Sequence, residues 1–68
     1  MVVANAIVDV IEANTPVSLG LYRVEVWGRD PYDYTRHYEI RAQNDTMAAQ
    51  EGIRRFVAEM EALPTPPN

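Results

Sequence analysis

The sequence predicts an α+β fold: a small antiparallel sheet of two or three strands with a C-terminal helix packed across one face. Three observations lead there. Apolar and polar residues alternate with period two from Leu21 to Trp27, and again from Thr35 to Ala42, as half-buried strands require. Beyond Asn44 the apolar residues recur every three to four positions instead, the spacing of an amphipathic helix. Since each such element has a single apolar face, the helix must cover one side of the sheet and leave the other open.

In the first strand Tyr22, Val24 and Val26 share one face, with Arg23, Glu25 and Trp27 opposite; in the second, Tyr38, Ile40 and Ala42 oppose His37, Glu39 and Arg41. Charge selects between registers. Pairing Val24 with Ile40 would set Arg23 against Arg41 and Glu25 against Glu39, whereas pairing Val24 with Tyr38 sets Arg23 against Glu39, Glu25 against His37 and Trp27 against Thr35. Opposite charges support an antiparallel pair by about 0.2–1 kcal/mol and like charges oppose it, so the second register is expected. Gly28 to Tyr34 is too long for a two-residue hairpin turn and reads as a protruding loop.

Asn44, Asp45 and Thr46 are three candidate N-caps for the helix. Ala49, Ile53, Phe56, Met60 and Leu63 form its expected apolar stripe, and Glu51, Arg55 and Glu59 an i,i+4 ladder expected to solvate the outside. Gly52 costs about 1 kcal/mol against Ala within a helix, and its place beside the stripe implies close approach to the sheet or to another helix. Pro64 stops the helix.

The first twenty residues satisfy two periods. As a helix, Val3, Ile7, Val10 and Ile11 make an apolar stripe with Asn5, Asp9 and Glu12 on the other side; as a strand, the β-branched residues fit and Asn14-Thr15-Pro16 turns the chain. Helix is the preferred reading and strand the alternative. The organisation expected is one small domain over residues 1–63 and a disordered Pro-rich tail over 64–68.

A chain of 68 residues without cysteine has neither disulfides nor a large core to stabilise it, so a homodimer is expected. Ten acidic residues against six basic ones, all arginine, give a net charge of -4, which disfavours a polyanion ligand over the surface as a whole. No segment reads as a leader or a membrane span, and a cytoplasmic protein with no membrane association is expected.

No catalytic, metal or cofactor site is read from the sequence. His37 is the side chain that titrates near neutrality, but it stands in a charged strand without an evident nucleophile or walled pocket. Arg23, Trp27, His37 and Arg41 would bring cations and one stacking surface to an open sheet, the means by which small domains bind RNA, although Glu25 and Glu39 interrupt them. The stronger candidate is the loop. Arg29, Tyr32, Tyr34 and Arg36, with Trp27 at the edge, concentrate the residue types that anchor protein interfaces.

The expected function is therefore a non-enzymatic module that binds another protein, with no cofactor. In size, acidity and lack of catalytic motifs the chain is similar to small phage or prophage proteins that block host machinery, anti-CRISPR inhibitors among them; the likeness is one of type and assigns no residue. Its layout also looks loosely like partial ferredoxin-like antitoxin domains. A nucleic-acid-binding domain using the open sheet face, or an antitoxin-like partner of a toxin, is the alternative.

Overall fold

The computed structural model describes residues 2–63. Strands β1 (Ala4–Glu12), β2 (Gly20–Gly28) and β3 (Thr35–Ala42) precede one helix, α1 (Asp45–Glu61). The strands form an antiparallel meander in the order β1-β2-β3. The helix lies against all three on one face, which is the α+β arrangement that the two periodicities require. The expected Pro-rich tail, 64–68, lies outside the described residues.

The β2–β3 register is the one selected by charge. Val24 pairs with Tyr38, Arg23 with Glu39, Glu25 with His37 and Trp27 with Thr35. Beneath the helix Val24 and Val26 are fully buried, and Tyr22, Ile40 and Ala42 are buried beside them. A register slip of one residue would have put Arg23 and Glu25 there instead.

The N-terminal segment corrects the preferred helical reading: residues 4–12 are the strand β1, paired with β2 from Ala4↔Gly28 to Val10↔Tyr22 and interrupted by a bulge between Val10 and Glu12. The reason is tertiary. Val8 and Ala6 lie opposite Val24 and Val26, so β1 extends the helix-covered surface and occupies the backbone groups on β2's free side, which an N-terminal helix would have left open. The turn back to β2 uses the expected residues. Thr15 and Ser18 bridge around Pro16, with Thr15 N donating to Ser18 O at 2.9 Å, and the Tyr22 hydroxyl donates to Asn14 Oδ1 at 3.4 Å.

Of the three candidate caps, Asn44 serves: its backbone is extended and its Oδ1 accepts from Met47 N at 2.8 Å, satisfying one of the free amides of the first turn. The buried stripe is Ala48, Gly52, Phe56 and Met60, with Ile53, Val57 and Leu63 half-buried around it. It is thus centred one position from the stripe expected through Ala49 and Ile53. Gly52 is a point of close approach to the sheet, as its place beside the stripe implies, because a side chain there would run into Val24 and Val26.

The charged ladder of α1 is also relocated. Glu59 Oε2 accepts from Arg36 Nε on β3 at 2.9 Å, so the Glu51, Arg55 and Glu59 side of the helix overlooks β3 rather than facing away from the sheet. Glu51 is held by Arg54 and Arg55.

Candidate functional site: the β2–β3 turn and the open sheet face

Gly28 closes β2 where only a hydrogen will fit. A Cβ there would collide with the Tyr32 carbonyl oxygen and come 3.0 Å from the Phe56 ring, so the turn is seated directly on the core. Three backbone bonds shape it: Gly28 N donates to Tyr34 O at 3.1 Å, Tyr32 N to Arg29 O at 2.6 Å and Tyr34 N to Tyr32 O at 2.9 Å. The Asp30–Pro31 peptide bond is cis.

The five residues singled out from the sequence are distributed around this end rather than gathered on one surface. Tyr32 is half-buried and packs against the core cluster. Tyr34 is exposed, and the Arg36 guanidinium stands over its ring at 5.2 Å. Arg36 is further held by Glu59 and donates from Nη1 to Thr35 O at 3.1 Å. It pairs with Val26, on the helix side of the sheet. Trp27 pairs with Asn5 on one side and Thr35 on the other, on the open face, and is half-buried there. Arg29 is exposed at the turn.

Charge pairing separates Arg29 from the other arginines. Arg23 lies 4.0 Å from Glu39, Arg36 2.9 Å from Glu59 and Arg41 3.3 Å from Glu12, while Arg54 and Arg55 share Glu51. Among the described residues Arg29 is the one arginine with no carboxylate within ion-pair distance. The pairs are exposed and individually worth about 0–1 kcal/mol, but they cancel the field that a polyanion would need. On the open face Arg23 and Arg41 stand among Asp9, Glu12, Glu25 and Glu39, an arrangement that weighs against a nucleic-acid surface.

His37 Nε2 lies 3.4 Å from Glu25 Oε2. It borders a depression of about 260 Å³ shared with Arg23, Tyr38 and Glu39, smaller than the ~300–1,000 Å³ of ordinary ligand pockets. On the other, helix-covered side of the sheet the Tyr38 hydroxyl is shielded from solvent without a hydrogen-bond partner of good geometry; burial first, and the nearby Glu59 carboxylate second, push its pKa up. Among the described residues no three His, Asp or Glu side chains cluster as metal ligands do. No described helix is long and apolar enough to cross a membrane.

One feature escaped sequence reasoning. A groove of about 580 Å³ runs between β3 and the first half of α1, lined by Ile40, Ala42, Met47, Gln50 and Arg54 with Leu19 at one end. Met47 and Leu19 are exposed there. Off-stripe apolar residues at 19 and 47 were the available signal, but a sequence does not show that the two lie along one groove. Its one carboxylate, Glu51, is engaged by two arginines and has its pKa lowered to about 2 by those hydrogen bonds, so it is an ion-pair partner rather than a base at neutral pH.

Compared with protein-family models, curated proteins and solved structures, the chain matches none.

Proposed function

We propose that the chain is a non-enzymatic protein-binding module of the cytosol that engages its partner through the β2–β3 turn, with Arg29 and Tyr34 as the primary contacts, Arg36 and Tyr32 as their supports and Trp27 at the margin. The observation that carries this is the state of Arg29. Every other arginine of the described residues would have to abandon a carboxylate to meet a partner, whereas Arg29 is exposed and unengaged beside the exposed ring of Tyr34. Exposed arginine and tyrosine side chains in a turn are energetically useful chiefly when a partner desolvates them. Tyr34 is also preorganised by the stacked Arg36, and Arg36 by Glu59, which lowers the ordering cost of binding. As an inhibitor of a larger protein, in the manner of small phage-encoded blockers, the module would act by covering that protein's working surface.

The test is comparative capture. The wild-type chain, Arg29→Glu and Tyr34→Ala would be used as baits beside Arg54→Gln, a substitution on the helix surface. A protein retained by the wild type and by Arg54→Gln, but lost from both turn variants, supports the reading. Retention by the turn variants with loss from Arg54→Gln overturns it. Tight binding of single-stranded RNA that falls steeply with salt and depends on Arg23 or Arg41 would favour the nucleic-acid alternative instead.

A further inference from the structure

The two edges of the sheet are unlike. On β3 the outer edge is guarded by Arg36, His37, Glu39 and Arg41, the charged side chains with which proteins discourage edge-to-edge pairing. The other edge, β1, has no lysine, arginine or proline and carries only Asp9 and Glu12 as charges. Its apolar side chains are unusually open: Ile7 is 52%, Val10 58% and Ile11 44% exposed. Ile7 shares the open face with Glu25, its partner on β2, whereas Val10 shares the helix face with Tyr22, so the apolar margin is present on both sides of the strand. On the helix, Ile53 and Val57 lie two positions beyond Glu51 and Arg55, roughly 200° round at about 100° per residue. Since the Glu51–Glu59 side overlooks β3, these half-buried residues flank β1 and continue the margin.

We propose that β1 pairs with β1 of a second copy, antiparallel about a two-fold axis that passes beside Ile7 perpendicular to the sheet, joining the two sheets into one with both helices on the same face. Three features fix this occupant and this register. The regular ladder of β1 runs from Ala4 to Val10 and ends at the bulge, and its midpoint is Ile7, so a symmetric pairing that uses the whole ladder must centre there. That register sets Ile7 against the partner's Ile7, Ala6 against the partner's Val8 and Ala4 against the partner's Val10, keeping apolar residues together on each face. It also sets Asn5, an amide donor, against the partner's Asp9. A centre at Asp9 would instead juxtapose two carboxylates, which is destabilising in an antiparallel pair. Closure about the two-fold removes both unguarded edges at once and leaves only the guarded β3 edges exposed. The contact is centred on Ile7 and meets the proposed partner surface only at its margin, where Asn5 pairs with Trp27.

Sedimentation and a pair of cysteine substitutions test this on the full chain. Wild type is expected at twice the 7.7 kDa chain mass. Ile7→Lys, which sets two ammonium groups against each other on the axis, is expected at once that mass with an unchanged circular dichroism spectrum. Because the chain has no cysteine, Ile7→Cys should oxidise to a covalent dimer, whereas Arg54→Cys on the helix surface should not. Directly opposite strand residues stand near disulfide range, at about 4.5–5.5 Å between Cβ atoms. A wild-type monomer at high concentration overturns the proposal, as does an Ile7→Lys dimer. If Ile7→Lys fails to fold, crosslinking decides: a covalent dimer of the Ile7→Cys variant supports the edge pairing, and failure of that variant to crosslink while the wild type is dimeric overturns it.

Discussion

A methyl group added at Gly52 would stand 2.6 Å from Cγ1 of Val24. Val24 is fully buried at the centre of β2, and its β-branched side chain has little rotamer freedom with which to yield. In an exposed helix, Gly to Ala would gain about 1 kcal/mol; forcing a methyl group into a packed core costs about 1–3 kcal/mol. Gly52→Ala is therefore expected to destabilise the protein, seen as a lower denaturant midpoint. Combining it with Val24→Ala should recover part of the loss, with a coupling of about 0.5–3 kcal/mol in the double-mutant cycle. An additive cycle would mean that the helix does not meet the sheet at this point.

Phe56 is the largest fully buried side chain, and it lies against both the core and Gly28 at the base of the turn. Phe56→Ala should cost about 3–5 kcal/mol, comparable to the whole stability of so small a domain. Loss of the cooperative thermal transition is the expected result. A variant with an unchanged melting temperature would show that α1 does not supply the core.

At the turn, truncation of a true anchor should weaken partner binding by about 2 kcal/mol or more while leaving the fold intact. Arg29→Ala and Tyr34→Ala are the clean probes because both residues are exposed. Tyr32→Ala should lower stability as well, since Tyr32 packs on the core cluster, and its binding defect must be measured on the folded fraction. Glu59→Gln is expected to weaken binding indirectly, by releasing Arg36 from its 2.9 Å bond. Equal affinities across these four variants, by calorimetry with the captured partner, would place the binding surface elsewhere.

Hydrogen bonds from Arg54 and then Arg55 lower the pKa of Glu51 from 4.5 to about 2. The sign follows from linkage: a carboxyl held below its unfolded value stabilises the fold above that value and loses the contribution on protonation. Stability owed to this cluster should thus be complete above pH 4.5 and disappear as pH falls toward about 2. Glu51→Gln should flatten that part of the acid unfolding curve without altering stability changes at higher pH. An unchanged acid limb would show that the cluster adds nothing measurable to stability.

Much of this fold is legible in the chain itself because short-range physics determines it. The β2–β3 register follows from charges that meet only across a strand pair, and the helix start is confined by the run of cap residues Asn44, Asp45 and Thr46, of which Asn44 makes the bond to Met47. The residue types of the turn were legible too, since tyrosine and arginine exceed what a turn needs. Tertiary structure decided the rest. Val3, Ile7, Val10 and Ile11 satisfy both a helical and a strand period, and only the free edge of β2, with its unpaired backbone groups, makes 4–12 a strand. The side of α1 that overlooks β3 was likewise undetermined, because Glu51, Arg55 and Glu59 form the same ladder whether they face water or Arg36. Alternation already puts Trp27 on the face opposite Val26, but how the turn divides its own side chains, Tyr32 onto the core and Tyr34 and Arg29 outward, depended on where the turn meets Phe56 and Gly28. Local sequence determines periodicity, capping and pairing of neighbours; which faces meet is set by burial across elements that are distant in the chain.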